Sequence, residues 1–287
     1  MTQMKKIIFT ISLILFSAGV LFIFVYRNFY DGRLHLVICD VGQGDAIFIR
    51  TPAGSDILVD GGPDKSVLSC LSNNMPFWDK DIEAAILTHP DADHLTGMVY
   101  VLERYNVRYL FTQPNPGKTD IYSLFKKELA EEKLSAKFVE AGDLLKVDEV
   151  RIDILSPASN VPDLNPPSSL NIYSVVVKLT YGKFSALLTG DAPDTVGDRI
   201  ANAAGKINLL KVPHHGSKTG MSDYLLDTIQ PQFALISVGA KNRYGHPSEI
   251  SLDLLKKHNI KIYRTDESGE IDVLSDGLIY SIDPQRD

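Results

Sequence analysis

Residues 88–97 read THPDADHLTG and directly follow the apolar run AAIL. This stretch places two histidines and two aspartates within six positions, at the point where a buried strand is predicted to end. Alternate residues of an extended segment share a side, so His89, Asp91 and Asp93 are expected to converge. A turn into the following helix would direct His94 towards a second position nearby. The stretch therefore predicts a site for two metal ions, and its imidazole and carboxylate groups favour zinc, manganese or iron over calcium.

Three later segments also place a ligating residue just after an apolar strand. Asp191 lies in LLTGD, His214 and His215 lie in LLKVPHHGS, and His246 lies in VGAKNRYGHP. Taken singly, Asp191 is also typical of a helix N-cap, and each histidine is also typical of a structural or solvated residue. Side chains at the ends of strands are, however, where the sites of α/β domains are assembled. The shared pattern therefore favours one common site for these residues and the first motif.

The composition is that of a globular protein with a net negative charge. The chain has 287 residues, of which 44% are hydrophobic and 23% are charged, and this suits one large domain or two small ones. The formal net charge is -7. A globally basic face for long nucleic acids is therefore not evident, and a polyanion would need local basic patches or bound cations.

The N-terminal segment has the length and composition of a membrane anchor. Residues 7–26 are uncharged and mainly apolar, and they lie between Lys6 and Arg27. A helix of this length crosses the core of a bilayer. A cleavable signal peptide is the alternative, but its apolar region is usually only about 7–15 residues long and ends in a small-residue cleavage site. This run is longer and no such site follows it, so we predict an uncleaved single-pass anchor in the lipid bilayer.

The charges on the two sides of this anchor predict its orientation. Two lysines and the N-terminal amine slightly outweigh Arg27 and Arg33. By the positive-inside tendency, the N-terminus is expected in the cytoplasm and the following domain outside it. We therefore divide the chain into a cytoplasmic tail with its anchor helix, residues 1–33, and an extracytoplasmic domain, residues 34–287.

The two cysteines form no metal-binding pattern. Cys39 and Cys70 belong to no CxxC pair, and Cys39 lies in the apolar run LHLVICD, where a buried strand residue is expected. A disulfide framework and a thiolate metal site are both disfavoured by this spacing. A single disulfide between the two cysteines remains open at this level.

The pattern after the anchor predicts a layered α/β domain. Short apolar strands separated by turns come first, and strands then alternate with amphipathic helices. Such an order predicts two sheets packed between helices. A stretch rich in proline, serine and asparagine at 156–171 is expected to form a surface loop over the site. Helices are predicted at 97–105, 120–133, 192–204, 222–229 and 248–257.

Six motifs, in their order along the chain, resemble those of the metallo-β-lactamase superfamily of metallohydrolases. They are DVGQGDAIFI, ILVDGG, THPDADHLTG, LLTGD, LKVPHHGSK and NRYGHPS, and the resemblance covers about residues 34–283. Within the superfamily they are most similar to the soluble hydrolase domain of ComEC/Rec2-type competence proteins. The resemblance implies an αββα sandwich and metal-dependent hydrolysis. It also implies two bound divalent ions, and zinc or manganese is the expected metal.

The resemblance also implies roles for individual residues. The ligand positions of the first motif fall on His89, Asp91, Asp93 and His94, with Asp91 in place of the second histidine of the general motif H-x-H-x-D-H. The bridging carboxylate of the family falls on Asp191, and its late histidine ligand falls on His246.

One further family ligand has no direct counterpart. No histidine lies between His94 and Asp191, where the family usually has one, so His214 or His215 is the candidate replacement. Asp60 of VDGG is expected to orient a ligand rather than to bind metal. Asp40 and Asp45 flank a glycine turn, and each is typical either of a turn residue or of a residue that lies beside the site. We count Asp40 among the residues expected to orient a ligand.

The expected chemistry is attack by ionised water on phosphorus or on a carbonyl group. Bound divalent metals ionise water near neutral pH, and Asp91 or Asp93 is the candidate proton acceptor. Four basic residues close in sequence to the late histidines are candidates for holding phosphate oxygens, although each is also typical of a solvated surface. They are Lys211, Lys218, Lys241 and Arg243.

The resemblance points to a phosphodiester substrate, and in its closest branch to DNA. Single-stranded DNA, a cell-surface phosphodiester and a small nucleotide are the candidates. With one membrane segment the chain is not a transporter by itself. The enzyme alternative is hydrolysis of a β-lactam or a thioester, and the lactam version is disfavoured by Asp91. The non-enzyme alternative is a metal-free binding module tethered to the membrane.

Overall fold

The computed structural model describes residues 3–159 and 170–286. The predicted loop at 156–171 therefore lies mostly outside the described residues.

Within the described residues, helices α1 to α8 occupy Gln3–Phe29, Val67–Asn74, Ala92–Leu102, Asp120–Glu131, Asp194–Ala204, Asp223–Ile229, Glu249–Lys257 and Thr265–Ser268. Strands β1 to β8 occupy Leu34–Ile38, Ile47–Arg50, Asp56–Val59, Asp81–Ile82, Ala84–Leu87, Asn106–Val107, Leu110–Thr112 and Ala136–Phe138. Strands β9 to β17 occupy Leu144–Val147, Val150–Ser156, Val176–Tyr181, Phe184–Leu188, Leu209–Lys211, Phe233–Ile236, Lys261–Arg264, Ile271–Ser275 and Tyr280–Pro284.

The strands form two large sheets that pack face to face. The first sheet has the order β17-β16-β1-β2-β3-β5-β7-β8, and the second has the order β15-β14-β13-β12-β11-β10-β9. Strands β3, β5 and β12 are buried along their whole length, because both of their faces are covered. This explains why they read as continuous apolar runs rather than as alternating patterns.

Three apolar clusters fill the layers between these elements. One lies between the inner faces of the two sheets, one packs the first sheet against α2, α3 and α4, and one packs the second sheet against α5, α6 and α7. The order of layers is therefore helix, sheet, sheet, helix. The αββα sandwich predicted from the motifs is confirmed.

Strand directions determine which end of the domain carries the candidate ligands that follow the strands. β2 runs antiparallel to β1 and β3 runs antiparallel to β2, so β1 and β3 run in the same direction, away from α1. β5 lies parallel to β3, and in the second sheet β12, β13 and β14 are parallel to one another. The residue that follows β5, Thr88, lies against Gly190, which follows β12. The carboxyl ends of these strands therefore meet at one end of the sandwich, the end remote from α1.

Most predicted helices are found close to their expected bounds, with one informative shift. The helix predicted at 97–105 begins earlier, at Ala92, because the extended Asp91 serves as its N-cap residue. Asp93 and His94 thus lie in the first helical turn rather than in an extended segment. Helix α2 and strands β8 to β10 were not predicted, because α2 is only eight residues long and the three strands are partly exposed.

Cys39 and Cys70 form a disulfide, which settles the pairing that the spacing left open. Their Cα atoms are 5.7 Å apart, and the bond ties the end of β1 to α2 across a separation of 31 residues. The bond also removes Cys39 and Cys70 as thiolate ligands.

Replacing both cysteines by alanine is expected to lower the free energy of unfolding by about 3 kcal/mol, since the disulfide restricts a loop of this length in the unfolded chain. Urea titration of the full-length protein in detergent micelles measures this change. Dithiothreitol should lower the stability of the wild type to that of the double variant and leave the variant unchanged. A wild type that is indifferent to reduction would contradict the prediction.

Helix α1 contains the whole predicted membrane segment. It is long and apolar enough to cross a membrane, and its apolar window is 0% buried in the isolated chain. The predicted span of residues 7–26 lies inside its bounds.

Candidate metal centre

The first part of the centre is built where β3 and β5 end. Asp60 follows β3 with a left-handed backbone (φ 60°), and its carboxylate accepts two hydrogen bonds from Thr88, from the backbone N–H at 2.8 Å and from the hydroxyl at 2.7 Å. Nδ1 of His89 lies 3.0 Å from the same hydroxyl oxygen. Since that hydroxyl donates to Asp60, Nδ1–H of His89 donates to it in turn. The Nε2 atom of His89 is thereby left without a proton.

The first turn of α3 directs His94 to the same place. Its Nδ1 atom lies 2.8 Å from the carboxylate of Asp60, and its Nε2 atom lies 3.2 Å from Oδ1 of Asp191. Asp60 therefore contacts one candidate ligand directly and reaches a second through Thr88. This is the position expected of a residue that orients ligands.

His214 and His215 form a turn of unusual backbone geometry. Both residues have a left-handed backbone, with φ of 51° and 53°. Non-glycine residues in this region are rare and concentrate at functional sites, where the surrounding structure holds them. The turn sends the two side chains to different places, because His215 is buried while His214 remains one-third exposed.

The side chain of His215 enters the centre. Its Nδ1–H donates to the backbone carbonyl of Ser237 at 2.9 Å, and its Nε2 atom lies 3.5 Å from Oδ1 of Asp191 and 3.6 Å from Oδ2 of Asp93. His214 approaches the other oxygen of Asp191, with Nε2 3.6 Å from Oδ2. Of the two candidates for the missing ligand, His215 is therefore the one buried among the other groups.

Asp191 lies in the middle of the cluster. It follows β12 through Gly190, whose φ is +50° and where a Cβ atom would lie 2.8 Å from Oγ1 of Thr88. Glycine is therefore required for the two strand ends to approach each other. Oδ1 of Asp191 faces His94 and His215, and Oδ2 faces His214. Asp191 is thus placed between two groups of nitrogen donors, as a bridging carboxylate would be.

The buried donors of this cluster lack hydrogen-bond partners among the described residues. These atoms are Nε2 of His89, His94 and His215, Oδ1 of Asp191, and Nδ1 of His246. A buried polar atom without a hydrogen-bond partner lowers the stability of a protein by about 1–3 kcal/mol. A cluster of such atoms therefore indicates a site at which a ligand or ion binds. The three histidines with a free Nε2 are each held through Nδ1, which is the arrangement typical of metal-ligating histidines.

The donors also lie close enough together to share one ion. Four residues each offer one ligand atom, and these four atoms all lie within 4.8 Å of one another. The residues are Asp93, His94, Asp191 and His215. A further pair of donors lies outside this group of four, because Nε2 of His89 lies 3.6 Å from Oδ2 of Asp91. Nitrogen and carboxylate donors of this kind suit zinc or manganese, and the residues therefore fit a divalent transition metal.

The electrostatic field of the cluster also favours a cation. Burial opposes the protonation of His94, yet the carboxylates of Asp191 and Asp60 hold its pKa well above the usual value. Burial likewise opposes the protonation of His215, but Asp191 and Asp45 raise its pKa to about 9. Burial and the neighbouring His94 lower the pKa of His89 to about 3, so this imidazole is neutral. The carboxylates thus attract positive charge into the centre, whether protons or metal ions.

The structure corrects two of the residue assignments made from the sequence. Lys211 is fully buried and its ammonium group donates to Asp45, so it is not available to hold a substrate phosphate. Asp40 pairs with Arg286 at the surface and does not contact the histidines, whereas Asp45 lies with Oδ1 3.3 Å from Nδ1 of His215. Asp45, rather than Asp40, is the residue of the glycine turn that contacts the centre.

The sequence carries a signal for the first correction, and only packing reveals the second. Lys211 stands inside the otherwise apolar run LLKV, and a lysine at a buried strand position requires an acidic partner. Gly44, which precedes Asp45, packs so closely on the metal-site turn that a Cβ atom there would lie 2.2 Å from the backbone oxygen of Asp93. The glycine turn is therefore part of the centre rather than a simple connection.

The remaining basic candidates are surface residues. Lys218, Lys241 and Arg243 are exposed, in the loops that carry His215 and His246. The imidazole of His246 lies 5.6 Å from that of His214, measured between ring centroids. The substrate-binding role of the three basic residues stays a prediction.

Comparison with known proteins identifies the class to which this fold and centre belong. A family model described as Metallo-beta-lactamase superfamily matches residues 39–239. The chain belongs to the metallo-β-lactamase superfamily, whose members are generally metal-dependent hydrolases that bind divalent metals such as zinc.

Among individual relatives, the chain is 31% identical over 260 residues to ComE operon protein 3 of Bacillus subtilis, covering 84% of this chain and 33% of the relative. It is 32% identical over 238 residues to Recombination protein 2 of Haemophilus influenzae, covering 82% of this chain and 28% of the relative. The chain thus spans about a third of the length of the curated relatives it matches.

Among solved structures, the metallo-beta-lactamase fold protein YhfI from Bacillus subtilis superposes with a TM-score of 0.58 at 13% identity, covering 83% of this chain and 99% of that protein. Zn²⁺-bound PqqB from Methylobacterium extorquens superposes with a TM-score of 0.52 at 11% identity, covering 80% of this chain and 97% of that protein. At these identities the structures support the fold alone.

Proposed function

We propose that this chain is a membrane-anchored, metal-dependent phosphodiesterase that acts on nucleic-acid phosphodiesters, with single-stranded DNA as the first substrate to test. The observation that carries the proposal is the convergence of the unpartnered Nε2 atoms of His94 and His215 on Oδ1 of Asp191, with the unpartnered Nε2 of His89 beside Asp91. When bound, divalent ions supply Lewis acidity that stabilises developing negative charge and ionises water near neutral pH.

The protein's own residues divide the remaining tasks. Asp93, His94, Asp191 and His215 would hold one ion. A second set of donors would come from His214, whose Nε2 lies 3.6 Å from Oδ2 of Asp191, and from His89, whose ring lies 4.2 Å from that of His94. Asp60 and Thr88 keep the imidazoles in the orientation that points Nε2 inwards. Because these supporting groups sit on strand ends, the site is rigid before substrate arrives.

Two observations favour a phosphodiester over a β-lactam or a thioester. Lys218, Lys241 and Arg243 are exposed on the loops that carry the late histidines, so their charges are available to neutralise the oxygens of a phosphate. The relative of 32% identity is named for recombination, which is a process of DNA. Single-stranded DNA, a cell-surface phosphodiester and a small nucleotide therefore come before acyl substrates.

A cleavage panel tests the proposal. The full-length protein in detergent micelles, loaded with Mn²⁺ or Zn²⁺, is incubated with single-stranded DNA, bis-p-nitrophenyl phosphate and a chromogenic β-lactam. Metal-dependent cleavage of one or both phosphodiesters, without lactam hydrolysis, is the expected result. Lactam cleavage alone would favour the acyl-hydrolase alternative. Purified protein that binds no transition metal and cleaves nothing would favour the metal-free binding module.

Asp91 offers a way to separate chemistry from metal binding. Its side chain is 46% exposed and lies outside the tight set of four ligands, so it can reach a substrate. Asp91→Asn is expected to lower kcat by about 100-fold, the scale of general acid–base catalysis, while the tight set keeps its metal. Metal content and turnover of the phosphodiester are measured together, with Asp120→Asn on the exposed start of α4 as the matched control. Unchanged kcat in Asp91→Asn would contradict the assignment.

We also propose that α1 spans the membrane and that the domain lies on its outer side. The disulfide between Cys39 and Cys70 supports this orientation, because disulfides persist in oxidising compartments and are rare in the cytosol. Cells quenched in acid and treated with a maleimide-polyethylene glycol should show no labelled cysteine until a reductant is added. Labelling of both cysteines without reductant would argue for a cytosolic domain.

A further inference from the structure

The end of the domain nearest to α1 carries two exposed apolar turns. Between α2 and β4, Phe77 is 84% exposed and Trp78 is 38% exposed. Between β16 and β17, Leu278 is 69% exposed and Ile279 is 72% exposed. Single exposed apolar side chains are common, but paired ones at the tips of two turns on one end of a domain form a surface that needs a partner.

Strand register places the second turn beside the membrane helix. α1 ends at Phe29 and β1 begins at Leu34, so only a short connection separates the helix from the sheet. Leu34 pairs with Ser275, the last residue of β16, in an antiparallel ladder. The turn that follows Ser275 therefore extends past the start of β1, in the direction of α1. Leu278 and Ile279 stand at the tip of this turn.

Direct contacts attach the first turn to α1 itself. The ring of Trp78 lies 5.5 Å from the ring of Phe22, measured between centroids, and Phe22 belongs to the predicted membrane segment. The hydroxyl of Tyr30 donates to the carboxylate of Asp79 at 2.8 Å, and the ring of Tyr30 lies 4.7 Å from that of Tyr26. Tryptophan and tyrosine are the residues enriched where a membrane segment meets water. Trp78 thus lies at the depth at which the apolar part of α1 ends.

We propose that the Phe77–Trp78 and Leu278–Ile279 turns lie in the interface of the lipid bilayer and hold the domain upright on the membrane. This rests on the membrane span proposed for α1. The strands β1, β3 and β5 run away from α1, and the metal centre lies at their far ends. The centre therefore faces the aqueous phase, and its substrate is a water-soluble phosphodiester rather than the headgroup of a lipid in the same membrane.

Trp78 is the only tryptophan of the chain, so its fluorescence reports on the first turn directly. The full-length protein is reconstituted into nanodiscs of phosphatidylcholine, with or without bromine atoms on the acyl chains near the headgroup. The emission of Trp78 is expected to lose most of its intensity in brominated discs and to resist quenching by aqueous iodide. Emission quenched by iodide but not by brominated lipid would overturn the proposal. Emission insensitive to both would also overturn it, because protein rather than lipid would then cover the turn.

Moving the tryptophan tests the second turn and the orientation. In the Trp78→Phe background, Ile279→Trp is compared with Ile250→Trp, since both isoleucines are exposed, at 72% and 63%, and Ile250 lies in the first turn of α7 beside the metal centre. Brominated lipid should quench the tryptophan at position 279 strongly and the one at position 250 little or not at all. Equal quenching of both, or none at position 279, would overturn the upright orientation. Carbonate extraction of cell membranes tests the span of α1 separately, so that a failed anchor is distinguished from a failed turn.

Discussion

Replacing Asp191 by alanine is expected to abolish metal-dependent turnover. Oδ1 of Asp191 faces the Nε2 atoms of His94 and His215, and Oδ2 faces His214, so the change removes the one carboxylate shared by both groups of donors. Loss of the stabilisation that metal ions give to developing charge, several kcal/mol, corresponds to about 1,000-fold or more in kcat. Turnover of the cleaved phosphodiester and metal content by mass spectrometry are measured on the same preparation.

Asp194→Ala is the matched control for this change. Asp194 lies three residues further on, in the first turn of α5, and its side chain contacts the neighbouring backbone N–H of Thr195 instead of the histidines. It should retain full metal content and turnover. An Asp191→Ala protein that keeps both metal and kcat would refute the central position of Asp191, and circular dichroism of both variants shows whether the fold is intact.

Lys211→Met is expected to lower the free energy of unfolding by about 3–5 kcal/mol, because it leaves a buried carboxylate without its counterion. The side chains of Lys211 and Asp45 are 0% and 1% exposed. Burial opposes ionisation of Asp45, but Lys211 and His215 hold its pKa well below the usual range, so the carboxylate is charged in the folded protein. Chemical denaturation of the full-length protein, after removal of metal by a chelator, measures the loss without a contribution from metal binding.

Two further variants separate this charge effect from the loss of a lysine side chain. Lys206→Met alters an exposed lysine shortly before the same strand and should change stability by no more than about 0.5 kcal/mol. Adding Asp45→Asn to Lys211→Met removes the unpaired charge and should restore part of the lost stability, since the two side chains are coupled. A Lys211→Met protein as stable as the wild type would show that the buried pair is dispensable.

The metal centre shows where sequence patterns are sufficient and where they fail. The turn from β5 into α3 could be predicted because four ligating residues stand within six positions at the end of an apolar strand. The choice between His214 and His215 could not, because it depends on two successive left-handed residues that bury one imidazole beside Oδ1 of Asp191 and leave the other partly exposed beside Oδ2. The choice between Asp40 and Asp45 failed for a similar reason, since both flank the same glycine turn and only its packing on Asp93 selects one.

Lys211 and the cysteines illustrate the same limit at longer range. The partner of Lys211 is separated from it by 166 residues, and the two cysteines are separated by 31. Neither pairing has a local periodicity from which it can be predicted. Each arises only when β1, α2 and β13 are brought together by the layers of the sandwich.

By itself, the sequence determined the layered α/β class, the membrane-length helix and the strand-end segments that carry the ligands, because each of these is a local pattern of apolar and polar residues. The tertiary structure alone decided which side chain of each segment enters the centre, which charges are buried as a pair, and which end of the domain lies beside α1. These depend on backbone rotation at single residues and on strand direction and register, and both are set by packing between segments far apart in the chain.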